Sequence, residues 1–427
     1  MREILAVLNA GSSSLKFALF LLRPGRDRQG RDPRPLLRGQ IERIGAQAEL
    51  SLKGGLGLAF QPPSASEVAR HAGDHAGAVA LLLGWFEEDR AGLRLVGAGH
   101  RVVHGGMRYS APEKITPALI EGLRELQPLA PLHLPHNLAG IRALAELRPD
   151  LPQVACFDTA FHATMPEVAT RIGLPRRFHD LGLRRYGFHG LSYEYVSGAL
   201  RDMTGTLPPR TIVAHLGNGA SLCALRDGQS IATTMGFSTL DGLVMGTRCG
   251  SLDPGALLYL LQHEAMTADQ VADLLYHQSG LHGVSGIGGD MRTLLASPKP
   301  EAREAIELYC YRMAREIGSL TAALGGLDAL VFTGGVGENA GEIRRRVCAQ
   351  CAWLGLRWTK VPTAAMRARS APPTVVSRSG SFRPTKKLSS RATPARCWAT
   401  PDAVMRAPGS GRPHRRCPRR WRRATGR

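Results

Sequence analysis

The sequence predicts an α/β protein built from two related halves that face each other across a cleft. Three observations carry that expectation. Residues 1–20, with "ILAVLNAGSSSLKFALF", read as a strand, a Gly/Ser turn and a second strand. Residues 210–230, "RTIVAHLGNGASLCALRDGQS", run through the same order closely enough to suggest an internal duplication. "LDALVF" then reads as a buried strand delivering "TGGVGEN" as a loop ahead of a helix, the arrangement that lets backbone N–H groups approach a phosphate or nucleotide.

The opening segment has a rival reading as a secretion signal, but "ILAVL" is too short an apolar core and is followed by Asn9 and three serines. After a Pro/Arg-rich loop over 22–36, "HAGAVALLLGWFEED" and "HNLAGIRALAEL" carry the three-to-four spacing of amphipathic helices. Between them "LRLVGAGHRVVHGG" is expected as a buried strand entering a glycine loop, and "LPQVACFDTAFHATMP" as a strand ending at Asp158. Over 302–324 the apolar positions 306, 310, 313, 317, 320 and 324 predict one long helix, stopped by Gly325-Gly326. These divisions place a first domain at 1–150, a second with the nucleotide site at 151–356, and a basic tail without regular structure at 357–427.

At 427 residues the chain is long enough to need no disulfide staples, and its eight cysteines are scattered, which predicts a reduced, cytoplasmic setting. Cys348 and Cys351 form a C-x-x-C within helical periodicity and lack a second Cys/His pair at zinc spacing, so helix packing is expected of them. No stretch reaches the ~20 apolar residues of a membrane span. The net charge of +20 suggests nucleic acid until it is located. Of 55 Lys/Arg and 35 Asp/Glu, 19 and one fall between Arg357 and Arg427, leaving 36 against 34 in the body.

Phosphate chemistry needs donors for a polyanion and cations to spread charge. Both Gly/Ser turns suit it, with Asn9, Ser12 and Ser14 adding side-chain contacts in the first. Arg101 in "GHRVVHGG" and Arg248 in "MGTRCGSLDPG" sit among glycines that would leave a guanidinium free to fork onto a carboxylate or phosphate. His189 in "RYGFHGLS" and Asp158 in "FDTAFH" would, taken singly, be a packed imidazole and a loop cap.

Taken together and in order, "LNAGSSSLKF", "GHRVVHGG", "APLHLPHN", "CFDTAFHATMP", "RRYGFHGLSYEYV", "HLGNGASLCAL", "MGFSTLDGLVMGTRCGSLDPG", "SGLHGVSGIGGDMR" and "VFTGGVGENAGEIR" closely resemble the acetate kinase family over residues 1–356. The resemblance implies two duplicated actin-like ATPase (ribonuclease H-like) domains around a central cleft. It implies reversible phosphoryl transfer between ATP and acetate, with Mg²⁺ or Mn²⁺, in a cytoplasmic homodimer without membrane or specific nucleic-acid partners. By the same resemblance Arg101 and Arg248 hold the carboxylate and the transferring phosphoryl group. Asp158 sits at the metal and nucleophile, and His189 stabilises the transition state. Val103, Leu132 and Phe188 form the methyl pocket, with His133 and Lys16 as further active-site positions and Asn9 at the metal. Ser12, Ser14, His215, Gly217, Asn218, Gly219, Asp290, Met291, Arg292, Gly335, Val336, Gly337 and Asn339 contact the nucleotide and its phosphates. Thr239 stands where some members have proline, which leaves acetate against propionate open, since one methylene discriminates by only ~1–3 kcal/mol. A sugar kinase fits less well, because the pocket is apolar and an arginine pair suits a carboxylate.

Past residue 356 the resemblance fails. The family's closing strand and metal-binding glutamate are not found, and Lys386 and Lys387 stand in their place with the wrong charge for Mg²⁺. One GC-rich codon choice for "PTKKLSSRATPARCW", shifted by a single base, reads "DEEAVIARHARAVL", much like the missing segment. The expectation is a frameshift near residue 357, in the gene or in its sequencing. If the tail is real, weak folding and little activity are expected, and "GRPHRRCPRRWRRATGR" would stick to nucleic acid or anionic lipid through charge.

Overall fold

The computed structural model describes residues 2–22, 35–54, 62–87, 92–358 and 374–378. The "GRPHRRCPRRWRRATGR" segment, Lys386 and Lys387 lie outside them. Among the described residues thirteen strands form two sheets: β1 Arg2–Ala10, β2 Ser14–Leu21, β3 Pro35–Glu42, β4 Glu49–Gly54, β5 Leu93–Val102, β6 Glu113–Lys114, β7 Gln153–Phe157, β8 Arg210–Leu216, β9 Ala220–Arg226, β10 Gln229–Thr233, β11 Ala329–Thr333, β12 Leu356–Trp358 and β13 Thr374–Arg378. The first sheet runs β4-β3-β2-β1-β5-β7-β6 and the second β10-β9-β8-β11-β13-β12.

The duplication expected from the two Gly turns is visible in this order. In each half an antiparallel meander of three strands (β3-β2-β1, β10-β9-β8) meets a parallel neighbour, β5 or β11, on its far side. Parallel strands are covered on both faces and read as apolar runs, as β11 does with all five residues buried. The segment expected as a possible signal is β1, its turn and β2, joined in register from Ile4–Leu21 to Ala10–Leu15. The two predicted helices are His75–Glu87 and Leu134–Leu147. The long one is Pro300–Leu324, with all six periodic positions buried and Gly325 in the left-handed region (φ 71°) as its stop. Cys348 and Cys351 are free thiols raised to about 12 and about 11 by burial, as packing residues would be.

Three expectations are corrected. "TGGVGEN" is not a loop: Gly334–Asn339 is a short helix, because Gly334 at φ 80° turns the chain sharply off β11 against the backbone of Leu216, where a Cβ would stand 2.8 Å away. The first sheet extends past the division at 150, since β7 pairs with β5. The stretch past residue 357 is not wholly without regular structure. Thr374–Arg378, with its β-branched Thr-Val-Val, adds to the second sheet antiparallel to β11. No helix among the described residues is long and apolar enough to cross a membrane.

Candidate active site

Ligands in open α/β sheets gather beyond the carboxyl ends of parallel strands, and both halves aim those ends at one place. In the first, Asn9 lies near the end of β1 opposite an exposed Lys16. The turn is closed by Gly11 N–H on the Ser14 carbonyl at 2.8 Å, leaving Ser12 exposed and Ser14 half-buried. His75 Nε2 donates to the Gly11 carbonyl at 2.6 Å. Asn137 braces this turn to the neighbouring strand: its Nδ2 donates to the Ala10 carbonyl at 2.7 Å and its Oδ1 accepts from Val103 N at 2.9 Å.

Arg101, near the end of β5, is not free as expected. Its Nε donates to Asp158 Oδ2 at 2.9 Å, its Nη2 makes a shorter contact with the same oxygen, and its Nη1 donates to Asn9 Oδ1 at 3.1 Å. The Asp158 side chain is 2% exposed and that of Arg101 35%, so the acid is buried and its arginine partly so. Burial works against the Arg101 charge, but the charge of Asp158 and its hydrogen bond outweigh that and hold the guanidinium above its ordinary value. Asp158 is therefore a charge partner, not a loop cap.

The second half supplies His189. It precedes the helix Gly190–Thr204 in the left-handed region (φ 61°), a conformation that costs free energy and marks constrained sites. Gly190 makes it possible: its N–H bonds the Asp158 carbonyl at 2.9 Å, and a Cβ there would sit 2.2 Å from that oxygen. His189 Nδ1 contacts Ser221 Oγ at 2.8 Å, and Tyr193 Oη contacts the same oxygen at 2.5 Å. His215 from β8 stacks on the His189 ring at 4.3 Å between centroids and bonds Ser192 Oγ through Nδ1 at 2.8 Å.

The turn between β8 and β9 joins these groups. A Cβ on Gly219 would lie 3.4 Å from His189 Nε2 and 3.5 Å from Arg248 Nη1, so imidazole and guanidinium flank this one glycine. Arg248 also donates from Nη1 to the Thr239 carbonyl at 3.2 Å. Burial is the main cause that lowers Arg248, with Arg101 adding to it. Burial likewise pushes His189 well below its ordinary value, with His215, Arg101 and Arg248 adding to it, and pushes His133 and His215 down to about 4. His133, at the start of the helix Leu134–Leu147, feels both arginines. Arg101, Asp158, His189, Arg248, His133 and His215 thus form one constellation.

The Asp290 loop reaches the same turn through two close glycine contacts. A Cβ on Gly289 would stand 2.6 Å from the Gly246 carbonyl, and one on Gly246 2.3 Å from Asn218 Oδ1. Asp290 caps the helix Met291–Ala296 and pairs with an exposed Arg292 at 2.7 Å. Gly335, Val336, Gly337 and Asn339 lie in the short helix after β11, whose last carbonyls at Gly337 and Glu338 accept from Arg344 Nη1 at 2.7 and 2.8 Å. Of the three residues expected to form a methyl pocket, Val103 and Phe188 are buried and Leu132 is 39% exposed. His162 Nε2 donates to the Phe188 carbonyl at 3.0 Å, holding that residue in place. Asn137, Ser221 and Tyr193 were not singled out by sequence reasoning. The one signal available was that Ser221 follows the second glycine turn.

Comparison with known proteins gives the chain's family. The model of the acetokinase family matches residues 4–386. An acetate kinase from Rhodopseudomonas palustris is 54% identical over 364 residues, covering 83% of this chain and 88% of that protein. One from Methylocella silvestris is 49% identical over 359 residues, with 83% and 88% covered. Among solved structures, Porphyromonas gingivalis acetate kinase aligns with a TM-score of 0.70 at 36% identity, covering 83% of this chain and 89% of that one. A propionate kinase from Francisella tularensis aligns with a TM-score of 0.75 at 34% identity, covering 87% and 94%. The two halves are accordingly the duplicated actin-like ATPase domains of these relatives. With a family match from residue 4 to 386 and relatives identical at half of the aligned positions, the chain belongs to the acetokinase family.

Proposed function

We propose that this constellation carries the reaction of an acetate kinase, the reversible transfer of the ATP γ-phosphoryl group to acetate. The single observation behind the assignment of roles is that His189 Nε2 and Arg248 Nη1 flank Gly219 while Arg101 stands paired with Asp158 at the facing strand ends. A carboxylate oxygen is already anionic at neutral pH, so no general base is needed; the barrier is bringing one anion to another. As the carboxylate oxygen bonds to phosphorus, the bond from phosphorus to the bridging oxygen breaks and ADP leaves with that electron pair. Arg101 and Arg248 hold the two anions in line, and His189 donates to the phosphoryl oxygens where charge gathers. The backbone of Gly217, Asn218 and Gly219, with Ser12 and Ser14 opposite, cradles the nucleotide phosphates, and the short helix at Gly335–Asn339 lies beside the nucleoside. Val103, Phe188 and Leu132 exclude water from around a methyl group.

Among the described residues no group of three His, Cys, Asp or Glu side chains could hold a metal. Two oxygen donors are nonetheless in place, Asn9 Oδ1 and the Asp158 carboxylate. That set fits Mg²⁺ arriving on nucleotide phosphates and keeping several of its waters, not an all-protein cage. Asn9 and Asp158 would hold it, and when bound it would supply charge neutralisation to the nucleotide phosphates.

The helix Pro254–Gln262, "PGALLYLLQ", has no buried residue despite its apolar composition, which supports a homodimer through this face. The reading also includes a cytoplasmic location and a one-base frameshift behind the sequence past residue 357. A hydroxamate assay with acetate and propionate in parallel tests the activity. Acyl phosphate formed from acetate with the higher kcat/KM is the expected result. Preference for propionate transfers the chain to the second reading, which the Francisella tularensis neighbour favours.

A further inference from the structure

We propose that Tyr193 and Ser221 are positioning residues that hold His189 as a neutral imidazole with its proton on Nε2, aimed at the phosphoryl group in flight. The inference rests on the reading of His189 as a donor to that group and adds what fixes its proton.

Tyr193 and Ser221 are both fully buried, and Tyr193 lies among Val196, Leu200, Val213, Leu225 and Val331. Among the described residues the Tyr193 hydroxyl has one hydrogen-bond partner, Ser221 Oγ at 2.5 Å. Ser221 Oγ has one further partner, His189 Nδ1 at 2.8 Å. A buried phenol that did not donate would leave its proton without an acceptor in apolar surroundings, a cost of ~1–3 kcal/mol. The phenol therefore donates to Ser221 Oγ, and burial, raising Tyr193 well above its ordinary value, keeps that proton on. The serine's single proton then has one remaining acceptor, His189 Nδ1. A nitrogen that accepts carries no proton, so the ring's own proton lies on Nε2, the nitrogen facing Gly219 and Arg248. The reverse chain, from Nδ1–H to Ser221 to Tyr193, leaves the phenol proton stranded and presents a lone pair to an anionic phosphoryl oxygen.

A second feature favours the neutral ring. Burial together with His215, Arg101 and Arg248 disfavours an imidazolium here. A neutral ring held in a fixed tautomer donates one hydrogen bond without adding a third positive charge to two guanidiniums, so the donor need not reorganise as charge develops.

The test uses the full chain with histidine labelled in ¹⁵N, and reads the His189 nitrogens by NMR alongside kcat and KM. Wild type should show Nδ1 unprotonated and Nε2 protonated. In Tyr193→Phe and Ser221→Ala the Nε2–H form should lose its dominance. kcat should fall roughly 10- to 100-fold, the range for outer partners that fix the tautomer of a metal-bound imidazole, with both KM values within about twofold. Ser221→Thr, which keeps the hydroxyl, should restore the tautomer and most of kcat. A wild-type ring protonated on Nδ1, or on both nitrogens, overturns the proposal. His189→Gln separates the two layers: an unchanged kcat removes His189 from the reaction altogether. A large loss there, with wild-type tautomer and kcat in both Tyr193→Phe and Ser221→Ala, sinks the relay alone.

Discussion

In the first half β7 lies parallel to β5 and runs directly into Asp158, which meets Arg101 in the site; in the second, β13 lies antiparallel to β11, so Thr374 starts beside Phe332 at the site end and Arg378 leaves at the opposite edge. The strand beyond the parallel neighbour therefore delivers a carboxylate in one half and none in the other. Two guanidiniums then face one acid among the groups gathered at Gly219, a balance that suits the binding of anions but leaves a metal with few protein ligands. A duplicated fold need not keep both copies of a functional strand. Orientation alone decides whether a strand end reaches the chemistry.

The largest losses are expected at the arginines. Arg101→Ala and Arg248→Ala should each lower kcat/KM for acetate by about 10²- to 10³-fold, the worth of a preorganised donor, measured in the hydroxamate assay. A loss under tenfold for both would remove the charge-neutralising role from the site. Next, a gene with the proposed frame restored past residue 357 should give a chain with the acidic "DEE" segment where Lys386 and Lys387 now stand. Its kcat should rise at least roughly tenfold over the chain as it stands, the effect of one well-placed charge. Equal activities would mean the site does not need that acid. Resequencing codons 350–365 decides independently whether the natural gene has the restored frame.

A smaller effect is expected where the two glycine contacts join the Asp290 loop to the second turn. Gly246→Ala places a Cβ 2.3 Å from Asn218 Oδ1, so KM for ATP should rise severalfold while that for acetate barely moves. Stability should depend on pH through the buried histidines. His100, His104 and His162 are lowered to about 4 by burial, against about 6.5 when unfolded. The unfolded chain then binds more protons between those values, so thermal stability is full above about pH 6.5 and falls as pH drops toward about 4. A melting temperature that rose on acidification would contradict this. The smallest effect concerns the tail. Removing residues 359–427 should abolish salt-sensitive retention on heparin, since the body is nearly neutral.

Several candidates stand out as separate segments because they sit beside glycines: His189 before Gly190, Arg248 amid Gly246 and Gly250, and Asn218 between Gly217 and Gly219. The supports do not. Asn137, Tyr193 and Ser221 look like ordinary helix and strand residues in the sequence, and they matter because the fold brings positions 127, 28 and 32 residues distant into hydrogen-bond range. The pairing of Arg101 with Asp158 was equally hidden, since nothing in "GHRVVHGG" shows that a carboxylate 57 residues on will occupy the guanidinium.

The sequence by itself determined the two halves, their strand–turn–strand openings, the long helix over 302–324 and the location of the surplus positive charge, because alternation, periodicity, glycine and charge are local properties of a chain. Only the tertiary structure decided that "TGGVGEN" winds into a helix, that Arg101 is engaged, that β13 runs antiparallel and that Ser221 stands between a phenol and an imidazole. Those outcomes depend on which distant backbone or side chain fills the neighbouring space, and no local pattern encodes that.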